Sequence, residues 1–133
     1  MHFDAGALER HVDQFTAARA SHRQAYARAC RTAHLFDRLA EALAQGASGF
    51  STGLYYPPNA MAPTDEVIAV AQALREAGGV YVTHMRDEAD HVLTSIEETL
   101  KIGRDTGAPV VISHHKCSMP QNFGRSMQTL DRK

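Results

Sequence analysis

Three short runs rich in β-branched and aromatic residues, each introduced by a glycine, recur along the chain at 47–51, 80–83 and 110–113. Such residues suit a pleated, packed surface, so each run is expected to be a strand. Between the second and third runs, Val92, Ile96 and Leu100 stand at i, i+4 and i+8, with Glu97 and Lys101 spaced to pair and Gly107 placed to stop a helix. Between the first and second, Thr64 is placed to cap a helix with Asp65 and Glu66 in its first turn. That helix has a stripe of Val67, Ala71 and Leu74 and a stop at Gly78 and Gly79. Strand, helix and strand in succession imply parallel strands, because a helix must carry the chain back before the next strand runs the same way. The runs VYV and VVI read as strands covered on both faces. The expected class is α/β, built of consecutive parallel βα units.

The first 45 residues read as helix. Leu35, Leu39 and Leu43 form an apolar stripe beside Phe36 and Ala42, whereas residues 16–31 are rich in Ala and Arg and offer little beyond Tyr26 to bury. The chain therefore divides into a helical segment, 1–45, whose first part is not obviously selected to pack with the rest of the chain, and an α/β segment, 46–133. A short helical start at Met127–Leu130 ends in Asp131, Arg132 and Lys133, which reads as a truncation. A three-stranded unit cannot close a (β/α)8 barrel, which takes about 250 residues; the chain is either a part of one or a small open sheet.

Composition narrows the function. Lys and Arg total 14 against 15 Asp and Glu, a formal net charge of -1, so nothing in the overall balance favours nucleic acid or an acidic membrane. Nucleic-acid binding through Arg19 to Arg31 would also need basic residues on one face with stacking aromatics, which this stretch lacks. No apolar run approaches a bilayer span, and Met1, His2, Phe3 and Asp4 lack a secretion-signal layout, so a cytoplasmic location is the expectation. Two cysteines, Cys30 and Cys117, make neither a disulfide framework nor a zinc ribbon. Phosphate-loop, dinucleotide, serine-hydrolase and HExxH patterns are absent.

The unusual count is eight histidines. His84 follows the second strand run and His114 the third, so both fall at carboxyl ends of neighbouring parallel strands, roughly 5 to 10 Å apart. Ligands and catalytic groups of α/β folds gather at that edge. Two imidazoles on rigid strand ends are suited to zinc, although a histidine at a strand end is also commonly a hydrogen-bonded residue with no metal. His115 is expected to point away from His114, and His91 to lie within a helix; Cys117 is not placed to act as a nucleophile beside either. Lys116, two residues past His114, returns to the same side and presents a cation to a substrate carboxylate, or is simply solvated. Arg86, Asp87 and Glu88 either contact substrate or pair with one another. Residues 51–63 form a loop stiffened by Pro57, Pro58 and Pro63, with Tyr55 and Tyr56 placed either to wall a pocket or to pack the loop.

The motifs GASGFSTGLYYPP, GGVYVTHMRDE, PVVISHHK and NFGRS closely resemble those of the N-acyl-D-amino-acid deacylases of the amidohydrolase superfamily, over residues 40–130. The resemblance implies a partial metal-dependent TIM-type barrel, preceded here by the helical segment. It also implies His84 and His114 as Zn2+ ligands and a site for an N-acyl-D-amino acid lined by Lys116 and Tyr56, with Arg86 matching a further motif residue. The family's HxH pair, its upstream metal-binding cysteine and its late catalytic aspartate have no counterpart here. The expectation is a fragment that does not hydrolyse the amide by itself and that associates through exposed sheet edges. The alternative is a stand-alone α/β module that binds a metal or small ligand without turnover.

Overall fold

The structure, a computed structural model, describes the backbone of residues 5–132 and the side chains of 13, 14 and 16–132. Residues 1–4, on which the reading of the N-terminal signal rests, lie outside the described residues. The chain divides into two units, Met1–His34 and Leu35–Lys133. Helix α1, Ala5–Ala44, runs through the division. In the first unit every described side chain from Thr16 to Arg31 is exposed, as the scarcity of apolar residues there requires. Among the described residues no helix is long and apolar enough to cross a membrane.

The second unit is a three-stranded parallel sheet in the order β1-β2-β3. The strands are β1 Gly49–Gly53, β2 Val80–His84 and β3 Val110–Ile112. The first lies two residues later than the sequence alone places it. Helices α2 Thr64–Ala71 and α3 Ala73–Ala77 fill the first crossover. The single expected helix is thus nearly continuous, interrupted only at Gln72. Helix α4, Val92–Thr106, fills the second crossover, and α5, Ser126–Leu130, follows the sheet. Gly78 and Gly107 end α3 and α4 at φ 69° and 71°, the left-handed turn that a side chain would penalise.

Tyr81 is fully buried at the centre of the larger core, with Leu54, Val67, Ala71, Leu74 and Ile102 around it and Leu43, Phe50 and Val110 at its edge. Met85, Val92 and Ile96 form a second cluster with Ile112 and Cys117. By strand alternation Phe50, Tyr81, Val110 and Ile112 face the helices, whereas Ser51, Val82 and Val111 face the other way. Ser51 is exposed and Val111 is 49% exposed. The sheet is therefore covered on one face, not on both as its apolar runs imply. Hydroxyls brought under the helices are satisfied locally: Thr52 Oγ1 lies 2.7 Å from the Tyr81 hydroxyl and 2.9 Å from Thr83 Oγ1. Burial pushes the Tyr81 hydroxyl above its ordinary pKa, against the lowering effect of those hydrogen bonds.

Three local expectations are corrected. Pro63, not Thr64, occupies the N-cap of α2, and the Thr64 hydroxyl instead donates to Glu98 at 2.7 Å. Lys101 pairs with Asp105, and Glu97 with Arg132, so the Glu97/Lys101 pair is not made. His91 stands at the N-cap of α4 and not within it.

One-sided cover is measurable. Ile102→Ala, at a fully buried position, is expected to cost about 2–5 kcal/mol in urea unfolding, and Val111→Thr less than about 0.5 kcal/mol. Equal losses would show that the second face is buried.

Candidate metal and substrate site

The parallel register sets the site. Gly53 pairs with His84 and Thr83 with Ile112, so the carboxyl ends of the three strands finish side by side. Two further bonds continue the ladder past the strands, from Leu54 N–H to the His84 carbonyl at 3.0 Å and from Ser113 N–H to the Thr83 carbonyl at 2.9 Å. His84 is the last residue of β2, on the face shared with Val80 and Val82. His114 lies just beyond β3 at φ 57°. That left-handed backbone costs a non-glycine residue roughly 1–2 kcal/mol, and strained residues of this kind cluster at functional sites.

The two imidazoles come together as the strand ends predict, with ring centroids 5.4 Å apart. Tyr55 and Tyr56, on the loop after β1, stand 5.3 and 5.1 Å from the His84 ring and 5.2 Å from each other. An aromatic wall therefore borders one side of His84. Both tyrosines remain half exposed.

Beneath this edge lies Glu88, whose side chain is 6% exposed. One of its oxygens pairs with the Lys116 ammonium; the other, Oε1, faces His84 Nε2 at 3.4 Å. The contact lacks hydrogen-bond geometry, and both atoms are buried without a hydrogen-bond partner. The Glu88 carbonyl also accepts from Ser118 N–H at 2.6 Å. Thus Glu88 joins the loop after β2 to the loop after β3. Lys116 is half exposed beside it, placing a cation at the site.

Arg86 is directed elsewhere. Its Nε and Nη2 donate to the Glu98 carboxylate, while Nη1 and Nη2 donate to the carbonyls of Ala60 and Ala62 at 2.7 and 2.9 Å. Thr64 adds a further bond to Glu98. This clasp fastens the end of the tyrosine-bearing loop to α4. Arg86, Asp87 and Glu88 do not pair with one another: Asp87 Oδ1 instead accepts from the N–H groups of Ala89 and His91. His115 Nε2 lies 2.6 Å from Thr129 Oγ1, a packing role of the kind expected for it.

Sequence reasoning left Glu98 unassigned and read Glu88 only as a substrate contact or a partner of Arg86 and Asp87. Glu98 adjoins the buried stripe of α4, an uncommon place for a carboxylate without a partner, and that was the available signal. Glu88 carried none beyond its proximity to His84. Among the described residues no group of three or more His, Cys, Asp or Glu side chains is arranged to hold a metal ion. The donor chemistry of two imidazoles whose ring centroids lie 5.4 Å apart, His84 and His114, fits the histidine share of a zinc site.

Comparison with known proteins agrees with the motifs. The chain is 54% identical over 94 residues to a D-aminoacylase and 56% identical over 94 residues to an N-acyl-D-aspartate deacylase, both from Alcaligenes xylosoxydans xylosoxydans. These matches cover 71% and 70% of this chain and 19% of each relative, so the chain spans about a fifth of the length of the curated relatives it matches. A D-aminoacylase crystal structure that defines a subset of amidohydrolases superposes with a TM-score of 0.76 at 50% identity, covering 77% of this chain and 22% of that one. An N-acyl-D-glutamate deacylase from Bordetella bronchiseptica, solved with zinc and a phosphonate mimic of the tetrahedral intermediate, gives 0.75 at 48% identity, with 77% and 22% covered. No family model matches the chain. By sequence and structure alike, the chain resembles a stretch of the N-acyl-D-amino-acid deacylases.

The clasp predicts an acid-sensitive stability. Burial pushes the Glu98 carboxyl up, but the hydrogen bonds from Arg86 and Thr64 and the Arg86 charge together hold it below its ordinary value. A depressed folded pKa contributes stability that is present above the unfolded value, about 4.3, and lost as pH falls through the folded value. Glu98→Gln is therefore expected to lower the urea midpoint at pH 7, with the gap to wild type closing steadily below about pH 4.3. A gap independent of pH would show that the carboxylate charge is not what holds the clasp.

Proposed function

We propose that this chain carries the two-histidine portion of a zinc-dependent amidohydrolase site for N-acyl-D-amino acids, within a partial (β/α)8 barrel. The observation that carries the reading is the convergence of His84 and His114 at the ends of adjacent parallel strands, bordered by Tyr55 and Tyr56. The names of the relatives, a D-aminoacylase and deacylases of N-acyl-D-aspartate and N-acyl-D-glutamate, support the substrate class. Zinc in one solved relative and a binuclear metal centre in another support the metal.

His84 and His114 would hold the metal through neutral imidazole nitrogens. When bound, zinc supplies Lewis acidity toward an acyl carbonyl. Lys116 is the cation that would meet the carboxylate of the amino-acid half of the substrate, and its pairing with Glu88 means that a substrate carboxylate must share or displace that partner. Tyr56, half exposed against His84, would bound the acyl amide and orient it by hydroxyl contact. Arg86 would act through the loop it fastens and not by touching substrate.

The residues in hand make part of a catalytic site. Two histidines leave a metal short of the three protein ligands usual in catalytic zinc sites, and no aspartate or glutamate among the described residues joins them as a third ligand. The chain is therefore proposed to bind zinc weakly and not to turn over alone, and its β1 and β3 edges favour association with further strands.

Zinc titration followed by calorimetry tests the reading. One zinc per chain is expected, abolished in both His84→Ala and His114→Ala, with no D-amino acid released from N-acyl-D-amino acids. Zinc uptake that survives both substitutions would refute the assignment of the ligands, and turnover by the isolated chain would refute the claim that its site is incomplete.

A further inference from the structure

The geometry points to Glu88 as the positioning residue of this site: its Oε1 accepts a hydrogen bond from His84 Nε2–H, which leaves Nδ1 as the metal-binding nitrogen, and its other oxygen anchors Lys116. The inference rests on the zinc reading above for its purpose, but its structural half stands on the contacts alone.

Two buried polar atoms, His84 Nε2 and Glu88 Oε1, have no hydrogen-bond partner and face each other at 3.4 Å. A buried polar atom left unpaired is costly, and in native structures such pairs resolve into a bond. Oε1 is a carboxylate oxygen and can only accept; the complementary state of Nε2 is the protonated one. A neutral imidazole with its proton on Nε2 has its lone pair on Nδ1. Metal-binding histidines commonly donate their second nitrogen to a carboxylate, which fixes tautomer and ring orientation. Glu88 is placed to do this for His84, with Oε1 3.4 Å from Nε2 and no other partner for either atom.

The second oxygen explains why a carboxylate stands here and not a neutral acceptor. It holds the Lys116 ammonium, and the Glu88 carbonyl holds Ser118 N–H, so one residue positions both the metal-binding ring on the β2 edge and the cation on the loop after β3. The side chain is itself 6% exposed, hence rigidly placed, whereas Lys116 is 51% exposed and free to meet solvent or substrate on its open side.

The test is metal-free. Chain labelled with 15N-histidine is examined by long-range 15N–1H correlation at about pH 8.5, where ordinary imidazoles are neutral, with His84 assigned from the signal lost in His84→Gln. The expected result is an Nε2–H tautomer whose proton is protected from exchange with water. Glu88→Gln should keep that protected proton, because the amide oxygen still accepts, and Glu88→Ala should lose it. In parallel, zinc affinity should fall about 10–100-fold in Glu88→Ala and be largely restored in Glu88→Gln. An Nδ1–H tautomer in the wild-type chain overturns the proposal without any variant. A protected proton that persists in Glu88→Ala overturns it as well. If wild-type chain fails to take up zinc, the functional reading falls, while the tautomer measurement still decides the role of Glu88.

Discussion

The hydrogen-bonded register of β2 between β1 and β3 is the constraint on which the rest of the site depends. Parallel strands bring equivalent positions to the same edge, and here Gly53 opposite His84 and Thr83 opposite Ile112 leave the two histidine rings 5.4 Å apart. A slip of one residue would turn His84 to the helix-covered face and Tyr81 out of its core, since side chains alternate across the sheet. The buried hydroxyls of Thr52, Tyr81 and Thr83 add to this precision, because each satisfies the others only in the observed register. Burial of Tyr81 and placement of His84 are thus two consequences of one pairing.

Around that edge, loops are secured by charged groups that packing alone would not hold. The Arg86–Glu98 clasp ties the loop after β1 to α4, and Glu88 ties the loop after β2 to the loop after β3. Both use a carboxylate that is largely buried, at 12% and 6% side-chain exposure, each with a cationic partner reaching solvent. Removing one member of such a pair leaves a buried charge unmatched, so these contacts fix geometry more than they add net stability. The tyrosine wall against His84 inherits its position from the first clasp.

Much of this was legible in the sequence where the signal is local. Strand runs, the stripes of α2 and α4, the glycine at the end of each helical crossover and the two histidines at strand ends are all short-range patterns, and the structure contains them. What escaped depends on partners far away along the chain. Arg86 reads as a substrate contact or a partner of its neighbours until Ala60, Ala62 and Glu98 are seen around it, and Lys101 pairs with Asp105 while the equally spaced Glu97 meets Arg132. Apolar runs such as VVI look alike whether one face is covered or two, so the bare face of Val111 was invisible. Glu88 has no periodic signature at all; only the fold puts it between His84 and Lys116.

The central claim, that the β2 and β3 edges deliver two imidazoles to one metal, is tested most directly by pulsed EPR of the chain loaded with a single equivalent of Cu2+. Nitrogen modulation from two coordinated imidazoles is expected, reduced to one by replacing either His84 or His114. Modulation from one imidazole or none in the unmodified chain would contradict the claim and return the pair to ordinary strand-end histidines.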